Sequence, residues 1–469
     1  MHTATSPAAA MRRYRRQSGQ ALIYGIFVLM AGLAALFFLF NTSQLTHEKT
    51  KLVNTADAVA YSAGVMHARA LNFNAYTNRA LLANEVMIAQ AASIASWASH
   101  IAKHSENVPP LNCRTWYSVP VALTLAEYIP VCYLLTYANG SLNEVNRGVQ
   151  EAARATVAAS EAAKDLLQAA QANMAVTFIP ARKALLQEVA DANYAGDGAV
   201  HVDTIPITDN FTLFEGALFI QAYSGAERGR FKNATVTATN LDAFIKQRSW
   251  TSANDFPCIT QNKAAFRRRG GTELIGFDAW KAMDTASLHT WSWTLRGLLR
   301  LPSCDEHEMA LGYGAQAAAA SVPSDRSASY GASRADNPAA SAAAGNARWS
   351  YGGLPTFQDL SSAALHYSGT DPGPRLKFAI RLTRAKDQLK TSDGASAIQP
   401  TGRLASFDGK PAANVLAAVA TSEVYFERPV GRADGKTELA SLFNPYWQVH
   451  LISTSAADAA IAMTLGGPR

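Results

Sequence analysis

Residues 21–40 read ALIYGIFVLMAGLAALFFLF, twenty residues without a charged side chain. As an α-helix this segment would be about 30 Å long, which is the hydrocarbon thickness of a bilayer. A cleaved signal peptide is the alternative, but its apolar region is usually about 7–15 residues long and ends at a small-residue cleavage site. The polar residues 41–44, NTSQ, offer no such site. The segment therefore predicts an uncleaved transmembrane helix.

The charges that precede this helix predict its orientation. Residues 1–20 contain no acidic side chain and four basic ones, Arg12, Arg13, Arg15 and Arg16. By the positive-inside rule, the N-terminus stays in the cytoplasm and the chain beyond the helix is exported. For a bacterial protein this predicts a single-pass protein of the inner membrane, with a periplasmic C-terminal region.

The net charge of +6 does not indicate a nucleic-acid partner. Without the four N-terminal arginines, 38 basic residues face 36 acidic ones. A nucleic-acid surface needs a clustered basic patch, and Arg267-Arg268-Arg269 is the only other cluster. We interpret it as a short solvated run.

The four cysteines agree with export. Cys113, Cys132, Cys258 and Cys304 all follow the apolar helix and would lie in an oxidising compartment. Four cysteines allow three pairings. We predict Cys113–Cys132 and Cys258–Cys304, because each closes a modest loop flanked by proline; two pairs of buried free thiols are the alternative.

A long helix is predicted to follow the apolar segment, because no proline occurs between residues 21 and 108. A seven-residue step from Leu45 reaches only apolar residues, which predicts one narrow packing seam. An ordinary buried helix is the alternative, but a helix this long is typical of coiled coils or membrane spans. The predicted seam consists of Leu45, Leu52, Val59, Met66, Phe73, Ala80, Met87, Ile94 and Ile101.

A second helix is predicted over residues 141–194, where alanine is abundant and Ser141 can cap the start. Two long helices joined by the cysteine-bounded excursion predict an antiparallel hairpin. Residues 41–196 would thus form a helical stalk. Four asparagines of the first helix are weak helix formers and predict a kink near residues 72–84.

From residue 197 onward the sequence predicts a mixed α+β head, in parts 197–314 and 351–469. Residues 376–382 alternate as a strand does, and further strands are predicted at 211–223, 424–426 and 446–452. Residues 315–350 are almost wholly small or polar, which predicts a flexible insertion between the two parts.

Motifs for chemistry are weak. Residues 325–329, DRSAS, match a metal-binding pattern, but they follow a small-residue stretch rather than a buried strand. Residues 312–317, GYGAQA, resemble a dinucleotide loop without the strand that should precede it. We therefore predict no catalytic, cofactor or metal site, and a protein that is not an enzyme.

The N-terminal third resembles the TadE/TadG-like family of Flp/Tad pilus-assembly proteins. The resemblance begins in residues 15–21, RRQSGQA, which run directly into the apolar helix. It continues in residues 51–64, KLVNTADAVAYSAG, and in residues 75–80 and 83–85, AYTNRA and ANE. Together these stretches cover about residues 12–100.

The resemblance implies a role in building or anchoring Tad-type pili, with pilin-like or pilus-machine subunits as partners. It also implies a prepilin-peptidase junction at Gly19–Gln20, although Tyr24 occupies the fifth position after the cut, where the family has glutamate. We predict a structural pilus component that packs through its helical seam, on partner helices or on a second copy. A membrane-tethered adhesive or ligand-binding envelope protein is the alternative.

Overall fold

The computed structural model describes residues 18–108, 127–209, 211, 219–252, 263–296, 301–321, 331–365, 373–385, 388–390 and 415–464. It is an α+β protein with a long apolar N-terminal helix and a sheet-rich C-terminal part, as the sequence predicts.

Helix α1 (Ser18–Asn107) is the axis of the molecule. Its 90 residues extend over about 135 Å at helical rise. The helix is continuous through the asparagine-rich region, because tertiary contacts of those side chains outweigh their weak helix propensity. The prediction of one long helix after the apolar segment is confirmed.

Helix α2 (Ile129–Asn193) lies antiparallel to α1. Near its start, Gln150 Nε2 donates a hydrogen bond to the carbonyl of Ala95 at 2.8 Å. Near its end, Arg182 lies 3.0 Å from His67. The predicted hairpin is present, but the predicted start at residue 141 is wrong. The helix starts twelve residues earlier, with proline in its first turn, and continues through Asn139-Gly140 because a glycine costs only about 1 kcal/mol in a helix.

The remaining elements are short helices and eleven described strands. The helices are α3 (Gly229–Leu241), α4 (Gly331–Asp336), α5 (Pro338–Ala343) and α6 (Ala456–Thr464), with 3-10 turns at Pro206–Thr208 and Gly225–Arg228. The strands are β1 (His201–Thr204), β2 (Ile220–Tyr223), β3 (Arg248–Thr251), β4 (Lys263–Ile275), β5 (Ala279–Arg296), β6 (Leu301–Ala319), β7 (Ala347–Trp349), β8 (Phe357–Leu360), β9 (Arg375–Ala385), β10 (Val415–Phe426) and β11 (Trp447–Ile452).

These strands form three sheets. One has the order β1-β9-β10-β11 and is antiparallel throughout. The second has the order β3-β4-β5-β6-β7, in which only β6 and β7 are parallel. Strands β2 and β8 form a separate antiparallel pair. The long β4–β6 meander is absent from the sequence prediction, because small and polar side chains are buried along it and hide the alternation of an amphipathic strand.

Separate hydrophobic clusters lie one after another along the length of α1. Its first third beyond the apolar segment, from Leu45 to Ala63, packs on β9, β10 and the end of α2. Leu71 packs beside the β2–β8 pair and β11. Ile88 and Ala95 pack beside β5, β6 and α3. The predicted separation into a stalk and a membrane-distal head is therefore wrong, because the body is built around the helix.

Residues 315–350, predicted as a flexible insertion, are mostly structured where they are described. Ala317, Ala318 and Ala319 are buried at the end of β6. Residues 331–350 contribute α4, α5 and β7 to the same sheet region. Small side chains exclude a large core here, but they allow a sheet and a helix to approach closely. The prediction is wrong for these residues.

Gly312 and Gly314 show how close that approach is. A Cβ atom on Gly314 would lie 2.3 Å from the carbonyl oxygen of Ser96 and 2.7 Å from the backbone nitrogen of His100. A Cβ atom on Gly312 would lie 2.8 Å from the Cβ of His104. These glycines therefore let β6 lie directly on α1, which explains the pattern that resembles a dinucleotide loop.

We expect Gly314→Ala to destabilise the protein, because the methyl group would collide with backbone atoms of α1 that cannot rotate away. Overpacking of this kind typically costs about 1–3 kcal/mol. Gly148→Ala is the matched control, since a Cβ at that position in α2 meets no atom within 4 Å, and it should stabilise the helix by up to about 1 kcal/mol. Chemical denaturation of the two purified variants in detergent measures the difference. Equal effects would contradict the close packing of β6 on α1.

Candidate functional site

Helix α1 carries the features that a functional account must explain. Its buried sides hold many polar or charged side chains among the apolar ones, and several of these bind the surrounding elements. One face of it remains exposed along the body, and its N-terminal segment is exposed on all sides. We describe the buried contacts first, because they decide which face of the helix is left over.

Glu85 is the centre of the most deeply buried polar cluster. Lys164 of α2 lies 2.6 Å from it, and the two side chains are 3% and 0% exposed. Trp280 Nε1 and the Tyr351 hydroxyl both donate to its Oε2, at 2.8 and 2.7 Å. Burial raises the pKa of Glu85, and Lys164 opposes that shift. This cluster ties α1 to α2, β5 and the segment before β8.

A second cluster joins α1 to the five-stranded sheet. Arg248 binds both oxygens of the buried Asp284, at 2.9 and 3.0 Å, and Ser96 of α1 donates to the same carboxylate at 3.0 Å. Arg268 lies 3.6 Å from it. Burial raises the pKa of Asp284, while Arg248 lowers it.

The interpretation of Arg267-Arg268-Arg269 as a solvated run is wrong. Arg267 pairs with Glu306 at 3.0 Å and Arg269 with Asp336 at 2.6 Å. Each guanidinium is at most 26% exposed. Successive residues of a strand point to opposite faces, so the three arginines pair with acids on different neighbouring elements. The sequence of the run alone does not indicate these partners.

A third cluster lies where the body begins, close to the apolar segment. Arg384 of β9 binds Glu48 of α1 at 2.5 Å, and both side chains are nearly fully buried. Lys51 binds Asp197 at 2.6 Å. Lys390 also binds Asp197, and together these cations hold the pKa of that carboxyl well below its usual range. This cluster fixes the four-stranded sheet to the first turns of the body helix.

Two of the asparagines of α1 bind other elements. Asn72 makes two hydrogen bonds with the backbone of Trp447 at the start of β11, at 3.0 and 3.1 Å. Asn78 donates to the carbonyls of Gln358 and Leu442, both at 2.7 Å. These amides bond to backbone groups of β8, of β11 and of the segment before β11.

Three buried histidines of α1 complete the polar contacts. Burial lowers the pKa of His67 to about 3, with Arg182 adding to the shift. Burial also lowers the pKa of His104 to about 3 and that of His100 well below 6.5. Neither ring nitrogen of His100 has a hydrogen-bond partner among the described residues. All three are therefore neutral in the folded protein near pH 7.

We expect these histidines to make the protein less stable in acid. Their folded pKa values lie below the unfolded value of about 6.5, so their contribution is full above pH 6.5 and is lost as the pH falls below it, toward about 3 for His67 and His104. Each should lower the free energy of unfolding by about 1.4 kcal/mol per pH unit in that window. Denaturation at pH 7, 6 and 5 measures this slope.

The variant His100→Met separates that slope from the opposite contribution of buried carboxylates. Methionine has a similar length and does not titrate, so the variant should lose less stability between pH 6 and pH 5 than the parent does, by about 1.4 kcal/mol. Identical pH profiles for parent and variant would contradict the assignment of His100 as a buried neutral group.

The apolar segment of α1 makes no contact that buries it. Every residue from Ala21 to Phe40 is exposed, and this is the part of α1 that is long and apolar enough to cross a membrane. A fully exposed run of this kind needs an apolar environment. It is a candidate membrane span.

One face of α1 also stays exposed beyond that segment. At 100° per residue its members lie within about 80° of arc, and they run from the lower part of the body toward its far end. We call this stripe the open face; it consists of Tyr61, Arg69, Tyr76, Arg79, Met87 and Ile94.

The predicted seventh-residue seam does not stay buried. Leu45, Leu52 and Val59 are buried between α1, α2 and the four-stranded sheet. Farther along, Met66, Ala80 and Ile101 are half-buried, whereas Phe73, Met87 and Ile94 are exposed. A straight helix drifts about 20° per heptad from a seven-residue repeat, so the stripe rotates from the buried side onto the open side. The packing of the exposed members on a partner stays a prediction, because the structure contains a single chain.

The other predicted site residues are partly described. Gly19 and Gln20 belong to the first turn of α1. Cys132 is buried in α2 and Cys304 lies opposite Trp293 in the β5–β6 hairpin; neither is a free thiol. Their predicted partners Cys113 and Cys258, and the residues 325–329, lie outside the described residues. The cysteine pairing stays a prediction.

A cleft of about 1030 Å³ lies between α2 and β1. Its walls include Lys183, His201 and Asp203, and Arg182 reaches it while bound to Asp209. Gln187 of α2 contacts the exposed edge of β1, donating to the carbonyl of Val200 at 2.9 Å. The cleft is thus a surface feature with mainly apolar walls and a few charged groups, and its strand edge is already partly covered.

Comparison with known proteins matches the N-terminal part of the chain. Residues 19–70 match the model of the Tad family, described as putative Flp pilus-assembly TadE/G-like. The match covers the apolar segment and the first turns of the body helix, and it confirms the resemblance read from the sequence. No curated protein and no solved structure matches the chain.

Proposed function

We propose that this chain is a structural component of a Tad/Flp-type pilus system. In this proposal residues 21–40 anchor it in the bacterial inner membrane, with residues 1–20 in the cytoplasm and the body in the periplasm. The match of residues 19–70 to the TadE/G-like family carries the proposal. The exposure of every residue from Ala21 to Phe40 supports the anchor, and the four preceding arginines support the orientation.

The arrangement of polar groups supports a structural rather than a catalytic role. The buried carboxylates Glu48, Glu85 and Asp284 are each bound by a cation of another element. These ion pairs hold the sheets and helices around α1. The charged groups are bound to each other. The body then serves as a rigid support for the exposed surfaces of α1.

Co-purification tests the proposal. The chain would be tagged at its C-terminus, crosslinked in intact cells, extracted from membranes and identified together with its neighbours by mass spectrometry. We expect pilus-machine subunits to be enriched with the tagged chain and absent from a control with an unrelated tagged single-pass protein. Enrichment of none of them would contradict the proposal.

A ligand-binding envelope protein is the second candidate, and the cleft beside β1 is the observation in its favour. The two candidates differ in a strain that lacks the gene. A pilus component predicts loss of assembled pili, whereas a tethered binding protein predicts normal pili.

A further inference from the structure

The six side chains of the open face make no hydrogen bond, ion pair or ring contact with another described residue. On the same arc, Asn72 contacts β11, and Gln90 and Trp97 contact the turn that follows α3. Tyr61, Tyr76, Met87 and Ile94 expose between 39% and 62% of their surface. Arg69 and Arg79 are exposed between them and make no ion pair or hydrogen bond with another described residue. These residues form an apolar stripe about 50 Å long with two unpaired cations. Such a surface is typical of a binding site for another molecule.

Lipid cannot cover this face. Tyr61 lies 21 residues beyond Phe40 in the same continuous helix, which places it about 32 Å from the end of the apolar segment. Ile94 is about 81 Å from that end. An interfacial helix buries its apolar side only about 5–10 Å into the headgroup boundary, so the bilayer does not reach this face.

The charges decide between a second copy and a different protein. Two copies anchored in the same membrane are parallel, and a symmetric pair brings each residue of the face opposite itself. Arg69 would then face Arg69, and Arg79 would face Arg79. The four acidic residues of the body part of α1 (Glu48, Asp57, Glu85 and Glu106) all lie off the open face, so α1 of the copy offers no counter-ion to these arginines.

We propose that the open face is the docking surface for a parallel, membrane-anchored helix of a different protein, which carries acidic side chains at the heights of Arg69 and Arg79. Ten residues separate the two arginines, so the acidic groups lie about 15 Å apart along the partner. They fall about 29 and 39 residues beyond the partner's own membrane span. The proposal rests on the proposed function and names the partner's chemistry.

Small and aromatic residues complete the surface. Ala83 is exposed beside the open face and Ala80 is half-buried, so a second helix can approach between Tyr76 and Met87. Burial of these side chains supplies the contact area. The arginines determine the register of the two helices and require negatively charged side chains on the partner. Exposed ion pairs add little affinity, so their main effect is selection among helices.

Photocrosslinking in native membranes tests the proposal. Tyr76 would be replaced by p-benzoylphenylalanine in the full-length chain, and its adduct identified by mass spectrometry. The matched control is the same replacement at Tyr137 on α2, which is 93% exposed. We expect an adduct at position 76, absent at 137, with a single-pass membrane protein whose linked helix carries acidic residues at the stated heights.

Charge reversal tests the role of the arginines. The double variant R69E/R79E should lower the position-76 adduct at least tenfold, whereas R154E, at another exposed arginine on α2, should leave it unchanged. Limited proteolysis of each variant checks that the body stays folded. An adduct with a second copy, with another segment of the same chain or with a soluble protein would overturn the proposal, as would an adduct that survives the double reversal in folded protein.

The outcome separates this inference from the proposed function. If pilus-machine subunits co-purify with the chain but the position-76 adduct is missing or resists charge reversal, the docking surface is wrong and the function stands. If no such subunit co-purifies, the function itself fails.

Discussion

Glu85→Ala is expected to prevent the folded protein from accumulating. The substitution removes the fully buried counter-ion of Lys164 and leaves it only the partly exposed Glu161, which also lies at 2.6 Å. Breaking a buried pair costs up to about 3–5 kcal/mol. Trp280 and Tyr351 also lose their acceptor, at about 1–3 kcal/mol for each donor left without a partner. The total net stability of a domain is only about 5–15 kcal/mol. Steady-state protein level and chemical denaturation in detergent measure the loss.

Two controls isolate the buried pair. Glu144→Ala removes one partner of an exposed pair with Arg147, whose side chains are 78% and 76% exposed, and should change stability by less than about 1 kcal/mol. The double variant Glu85→Leu with Lys164→Met removes both buried charges and should recover much of the loss, because an apolar pair avoids the desolvation penalty. If Glu85→Ala and Glu144→Ala behave alike, Glu85 does not hold the body together.

Removal of the apolar segment is expected to release the body from the membrane. A chain that starts at Asn41 behind a cleavable signal peptide should move from the carbonate-resistant membrane pellet to the soluble periplasmic fraction. It should stay folded, because Ala21–Phe40 contribute no buried surface to the body. Fractionation, with protease resistance as the folding assay, measures both properties.

The matched control keeps residues 21–40 behind the same signal peptide with its cleavage site destroyed, and should remain in the pellet. A truncated chain that stays in the membrane pellet would show that the anchor lies elsewhere. A truncated chain that is soluble but protease-sensitive would show that the span takes part in folding.

The sequence predicts helix α1 better than it predicts the sheets that pack around this helix. The absence of proline predicts α1, and its apolar and alanine-rich periodicity predicts that it packs against a second helix. The seven-residue step fails beyond Val59, because a straight helix repeats every 18 residues rather than every seven. On that period Leu45, Ala63 and Leu81 share the buried side, and Tyr61 and Arg79 share the open face.

The polar contacts of α1 are harder to predict. Each polar residue contacts a residue that is far away in the chain. Glu85 contacts Trp280, Asn78 contacts Leu442, and His100 contacts Gly312. No local pattern indicates which buried polar residue meets which strand. The exposed stretch around Tyr76 and Arg79 was singled out by its resemblance, but only the structure separates its outward side chains from Thr77 and Asn78, which face inward.

Assembly of pili in a deletion strain tests the central claim most directly. Surface pilin would be sheared from cells and quantified for the parent, for a strain that lacks this chain, and for the strain complemented with the full chain or with the form that starts at Asn41. We expect pili to disappear on deletion, to return with the full chain, and to remain absent with the soluble form. Normal pili in the deletion strain would contradict the claim that the chain is a component of the pilus system.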